Sequence, residues 1–191
     1  MFVSSKIEVY KERYPYADKV NSVLHQFICE NSFSEDPRVP GTAQTPFDYR
    51  PLYDLKEFGL IVNYARSFIT NKEIFSNNVM EWKLELLTWW GMLSNKGSYQ
   101  NWHDHLPNHW SFVYYMNTPK GSSPLIFRDG NKKIHPKAGD LVIFPARLSH
   151  KVPPNKCIGR TSVVGNFYWK TKYIAFAEAD SKNSMSLYNL E

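Results

Sequence analysis

From Glu81 onward the chain breaks into short strand-like runs separated by turn signals, and this segmentation restricts the fold more than any other property. The first run, EWKLELLTWWGML, sets Trp82, Leu84, Leu86 and Trp89-Trp90 in a long strand that Asn95-Lys96-Gly97 ends in a turn. Strand-like stretches follow at Ser98–Asp104, Trp110–Asn117, Leu125–Arg128, Lys132–His135, Asp140–Phe144, Ser149–Pro153 and Gly159–Lys170. Between them lie Thr118–Pro124, Asp129-Gly130, Ala138-Gly139 and Pro153–Lys156, built from residues that tight turns require. Seven or eight short strands at that spacing indicate a β-sandwich or barrel. Twelve Phe, twelve Tyr and six Trp suit such an interior, because rings pack well on pleated surfaces.

The half of the chain before Glu81 reads differently. Tyr16–Glu30 places Val20, Val23, Leu24, Phe27 and Ile28 at helical spacing, and Leu52–Thr70 does the same with Leu55, Phe58, Ile61, Val62, Ala65 and Phe68. Two such helices would cover one face of the sheet that follows. Asn31–Arg50, rich in Ser, Asp, Pro, Gly and Thr, reads as an irregular loop between them. At 191 residues, 42% of them hydrophobic, the chain is expected to form a single domain, 1–191. Within it, 1–80 forms a helical and loop support, 81–170 the β core and 171–191 a polar extension.

Cys29 and Cys157 form no C-x-x-C pair, so neither a disulfide framework nor a zinc knuckle is indicated. The opening MFVSSKIEVYKERYPY carries charges where a signal peptide needs an apolar run, and no segment reaches the roughly 20 apolar residues of a membrane span. A cytoplasmic protein without a membrane partner is the expectation. The formal charge of +5 comes from lysines scattered among acids, so a nucleic-acid partner is not indicated and an anionic substrate is weakly suggested.

Four of the six histidines fall in two stretches, NWHDHLPNHWSFVYY at Asn101–Tyr115 and LSHKVPPNKCIGRTS at Leu148–Ser162. Side chains alternate along a strand, so His103 and His105 would share one face while Asp104 points away, and His150 on a distant strand could complete one side of an octahedral metal site. Two histidines at a barrel mouth with no metal are the plainer alternative. His109 and His135 read as exposed turn or strand-end residues, and His25 as a partly exposed helical one.

These pieces resemble the iron(II)- and 2-oxoglutarate-dependent oxygenase superfamily, nearest a small branch whose motif reads W…G…H-x-H-P…S-G-V-Y-Y, then F-P…H-x-V and R-x-S. Here they stand as Trp90, Gly97, His103-Asp104-His105, Ser111–Tyr115, Phe144-Pro145, His150-Lys151-Val152 and Arg160-Thr161-Ser162, between about Glu81 and Trp169. The resemblance implies a mainly β (α+β) fold, a double-stranded β-helix of the jelly-roll, cupin-like kind with the N-terminal helices packed on one sheet. It implies Fe(II) as cofactor and 2-oxoglutarate as cosubstrate, with release of succinate and carbon dioxide as a substrate is hydroxylated or demethylated.

In that reading His103, His105 and His150 hold the metal, His105 standing where the family's H-x-D has Asp; Asp104 is the competing third ligand. Arg160, ten residues after His150, matches the family's basic residue for the far carboxylate of 2-oxoglutarate, and a guanidinium forks onto a carboxylate well. Ser162 shares its face. Ser111 and Tyr115 lie on the inward face of their strand and are further cosubstrate candidates, while Asn166, of the same parity as Arg160, could orient substrate or oxoacid. Two other classes stay open: a cupin-like metal dioxygenase or isomerase without 2-oxoglutarate, and a non-catalytic jelly-roll binding module. The substrate, a small molecule or a protein side chain, and the oligomeric state are not legible.

Overall fold

The computed structural model describes residues 8–72 and 80–173. Among the described residues eleven strands form two sheets. They are β1 (Tyr10–Arg13), β2 (Ser34–Glu35), β3 (Thr42–Gln44), β4 (Met80–Ser94), β5 (Gln100–His103), β6 (Trp110–Asn117), β7 (Leu125–Phe127), β8 (Lys133–Ile134), β9 (Asp140–Pro145), β10 (His150–Val152) and β11 (Arg160–Tyr173). A seven-stranded sheet runs β1-β9-β6-β11-β4-β3-β2 and a four-stranded sheet β5-β10-β7-β8, with antiparallel pairing throughout. Two facing antiparallel sheets are the expected jelly roll.

The centre of the large sheet is buried on both faces, which explains why β6, WSFVYYMN, reads as a nearly continuous apolar run. Phe112, Tyr114, Leu141, Ile143, Val163 and Phe167 point to the helices. Val113, Tyr115, Val142, Phe144 and Val164 point to the small sheet, where they meet Leu125, Phe127, Leu148 and Val152. Helices α1 (Ala17–Asn31) and α3 (Lys56–Lys72) cover the first face, as their periodicity predicts. The buried stripe of α1 is narrower than expected: Ala17, Val20, Leu24 and Ile28 are buried, but Val23 is 40% exposed. The Tyr114 hydroxyl, buried beneath α1, donates to Asn21 and ties that helix to β6.

Three boundaries differ from the sequence reading. The second helix is two, α2 (Arg50–Tyr53) and α3, parted at Asp54-Leu55. The region 31–50 is no plain loop: β2 and β3 extend the large sheet beyond β4, with Thr42, Ala43 and Gln44 opposite Ser94, Leu93 and Met92. β1 adds the opposite edge, against β9, so the region before 81 supplies strands as well as helices. Strands this short carry too little alternation to stand out in a sequence. The extension expected over 171–191 lies outside the described residues from 174 onward, and β11 itself runs to Tyr173. Among the described residues no helix is long and apolar enough to cross a membrane.

Close packing fixes the β11 interior. A Cβ on Gly165 would stand 2.4 Å from the Phe112 ring and 2.9 Å from Leu86, so only hydrogen fits there.

Candidate metal centre

The mouth of the jelly roll holds His103, His105 and His150, whose nearest ligand atoms all lie within 4.8 Å of one another. β5 pairs with β10 so that His103 stands opposite His150, and their ring centroids are 4.3 Å apart. His105 completes the group at 5.2 Å from His103 and 5.0 Å from His150. Its route there corrects the sequence argument. β5 ends at His103, so strand alternation does not carry His105 to the site. The segment after the strand is instead pinned to the end of β9: the His105 N–H donates to the Ala146 carbonyl at 2.8 Å, and the Ala146 N–H to the His109 carbonyl at 3.0 Å. Asp104 is exposed, and its Oδ1 accepts the Leu106 N–H at 3.1 Å in a local turn.

Two rings are held in a defined tautomer. His103 Nδ1 lies 2.8 Å from the Asn101 carbonyl and His150 Nδ1 2.8 Å from the Leu148 carbonyl. A carbonyl only accepts, so each Nδ1 carries the hydrogen and each Nε2 keeps its lone pair for a ligand. Burial, reinforced by neighbouring imidazoles, pushes His105 and His150 down to about 3, so both are neutral at ordinary pH. Three imidazole nitrogens with no carboxylate suit a borderline transition metal such as Fe(II).

Two cavities meet at this triad. The inner one, about 20 Å³, is bounded by Met92, Tyr115, Arg160, Ser162 and Val164 together with all three histidines. Arg160 is only 4% exposed; its guanidinium lies 5.0 Å from the Tyr115 ring centroid, and its Nε is buried without a hydrogen-bond partner. A buried donor left unpaired costs free energy, so an acceptor entering this pocket would gain by pairing with it. Burial raises the Tyr115 phenol above its ordinary range although Arg160 pulls the other way, so it stays a neutral O–H. The outer cavity, about 530 Å³, is a cleft walled by Phe47, Thr88, Trp90, Trp102, Asn108 and Asn166, with His103 and His105 at its base.

The candidate residues divide accordingly. Arg160, Ser162 and Tyr115 line the inner pocket with the triad. Ser111 does not line it; its hydroxyl donates to Asn166 Oδ1 at 2.7 Å, and Asn166 faces the outer cleft. His109 is exposed and accepts the Trp169 N–H at 3.3 Å, and His25 bonds Thr161 from α1, both away from the triad. Sequence reasoning missed the cleft wall from Asp36, Arg38 and Phe47, which lies in the segment read as a loop, and it missed Thr88. Thr88 had a usable signal, since it shares strand parity with Trp90 and Met92.

The family profile described as the 2OG-Fe(II) oxygenase superfamily matches residues 90–168. Among curated proteins a sequence search finds no match. The fold is similar to that of the viral collagen prolyl hydroxylase of Paramecium bursaria Chlorella virus-1 in its 2OG complex, with 17% identity and a TM-score of 0.64 over 83% of this chain and 94% of that one. A prolyl hydroxylase from Trichoplax adhaerens, in complex with a hypoxia inducible factor peptide fragment, gives 16%, 0.63, 84% and 83% for the same quantities. HygX from Streptomyces hygroscopicus, with nickel and 2-oxoglutarate bound, gives 12%, 0.61, 85% and 83%.

Proposed function

We propose that this chain is a 2OG-Fe(II) oxygenase that holds its Fe(II) with His103, His105 and His150 and binds 2-oxoglutarate against Arg160. Bound together, the metal and the oxoacid supply the oxygen chemistry: oxidative decarboxylation to succinate and carbon dioxide, coupled to oxidation of a substrate C–H bond. The protein's own part is positional. His103 and His150 present Nε2 because the Asn101 and Leu148 carbonyls hold the other nitrogen. Arg160, with Ser162 beside it, both side chains buried, offers the far carboxylate a charge-assisted fork.

The observation that carries the reading is the unpartnered Nε of a buried arginine beside three imidazoles. A metalloenzyme that takes no oxoacid gives that guanidinium no role beside the metal. The inner pocket is narrower than a five-carbon diacid, so side chains lining it must yield on binding, and Met92 is the most adaptable of them. Hydroxylation or demethylation then takes place on a substrate lying in the outer cleft, whose Phe47 and Trp90 rings, 4.8 Å apart, provide an apolar wall for a peptide side chain or a small organic molecule. The test is succinate formation from 2-oxoglutarate by the Fe(II)-loaded protein, abolished in His150→Ala; no turnover by fully loaded protein would contradict the reading.

A further inference from the structure

A hydrogen-bond relay runs across the sheet into the outer cleft. β6, β11 and β4 are neighbours in the large sheet, and Ser111, Asn166 and Thr88 stand side by side on them. The Ser111 hydroxyl donates to Asn166 Oδ1 at 2.7 Å, which fixes the amide, and Asn166 Nδ2 donates to Thr88 Oγ1 at 2.7 Å. Ser111 is fully buried and Asn166 only 3% exposed, so water does not compete for the first link. The second link occupies a lone pair of the Thr88 oxygen and directs its own hydrogen elsewhere. Among the described residues that hydroxyl donates to none, and both Thr88 and Asn166 line the cleft. The pairing of β4 with β11 is also irregular here. Asn166 stands opposite Thr88 but Phe167 opposite Leu86, so Leu87 is the extra residue of a bulge, a feature that re-aims neighbouring side chains.

We infer that Thr88 is a substrate-positioning residue: its hydroxyl, aimed by the Ser111–Asn166 amide, donates to an acceptor oxygen on a substrate whose apolar part lies against Phe47 and Trp90. The inference rests on the outer cleft being the substrate side of the proposed site. The ligand chemistry is an uncharged or anionic organic molecule carrying a carbonyl-type oxygen beside an apolar group. The relay biases the site towards acceptors, because with one Thr88 lone pair taken by Asn166 the hydroxyl's own hydrogen is left to face the cleft.

Acetophenone supplies a ring and one acceptor oxygen, and ethylbenzene supplies the same shape without the oxygen. Both are titrated by ligand-observed NMR into the protein loaded with Ni(II) and 2-oxoglutarate, and again into metal-free protein. The preference for acetophenone over ethylbenzene should fall about fivefold to tenfold in Thr88→Val, the size of one hydrogen bond, and return in Thr88→Ser. Ethylbenzene should bind wild type and Thr88→Val alike. Equal acetophenone affinity in wild type and Thr88→Val, an equal loss for ethylbenzene, or no acetophenone binding up to its solubility limit would overturn the inference. Because the metal-free titration does not depend on the triad or Arg160, a failed metal or cosubstrate assignment leaves this result readable on its own.

Discussion

His103 and His150 face each other across the β5–β10 pair with ring centroids 4.3 Å apart, and each ring is bonded through Nδ1 to the carbonyl two residues before it in the chain. The same short-range device on two strands leaves two Nε2 atoms free and orients them before any metal arrives. Preorganisation of this kind lowers the cost of assembling the site.

Removing one of the proposed ligands should therefore be severe. His150→Ala is predicted to lose stoichiometric Fe(II), with affinity falling by more than the roughly 10- to 100-fold typical of changes outside the ligand set. Metal analysis after equilibrium dialysis measures this, and full occupancy in the variant would exclude His150 as a ligand.

The proposed third ligand, His105, is separable from its neighbour Asp104. His105 turns towards the other two imidazoles, whereas exposed Asp104 is engaged with the Leu106 N–H. His105→Ala should lose metal and Asp104→Ala should keep it together with most 2-oxoglutarate turnover. The reverse pattern, read in the same dialysis, would return the site to two histidines and a carboxylate.

Acid should destabilise the metal-free protein through the triad. The folded pKa values of His105 and His150, about 3, lie below the unfolded value near 6.5, so the unfolded chain binds the extra protons. The stability is fully present above about pH 6.5 and is lost as pH falls towards about 3, with a limiting slope from the two groups of about 2.7 kcal/mol per pH unit. Urea midpoints measured across that window in the presence of a chelator should fall more steeply for wild type than for His105→Asn/His150→Asn. Parallel curves would show that these histidines are not held neutral.

The contact of Gly165 with Phe112 predicts a cost of about 1–3 kcal/mol for Gly165→Ala, since the buried ring cannot withdraw without disturbing its packing on Phe167. Urea unfolding measures it, and an unchanged midpoint would mean that the strand can shift at no cost.

Much of this was legible in the sequence. The strands from 110 to 117 and 140 to 145 announce themselves through apolar runs and bounding turns, a sandwich or barrel follows from strand number and spacing, and the jelly roll comes from the family resemblance. The triad was legible as residue types, but the path of His105 was not, because a backbone bond to Ala146 sets it and no local pattern encodes that bond. β1, β2 and β3 were invisible for a related reason: two to four residues acquire strand geometry from the partner they join rather than from their own alternation. The outer cleft was the least legible part, since Phe47 and Thr88 meet only through the sheet order.

The central claim is that one site holds Fe(II) on three histidines and 2-oxoglutarate on Arg160. Anaerobic titration of the Fe(II) protein with 2-oxoglutarate tests it most directly, because chelation of the metal by the oxoacid produces a visible charge-transfer band. Wild type should develop the band and saturate. Arg160→Ala should keep its iron but require roughly 10- to 100-fold more 2-oxoglutarate, as the loss of a charge-assisted contact implies, and His150→Ala should show no band. Fully iron-loaded wild type that develops no band, or Arg160→Ala that saturates at the wild-type concentration, would contradict the account.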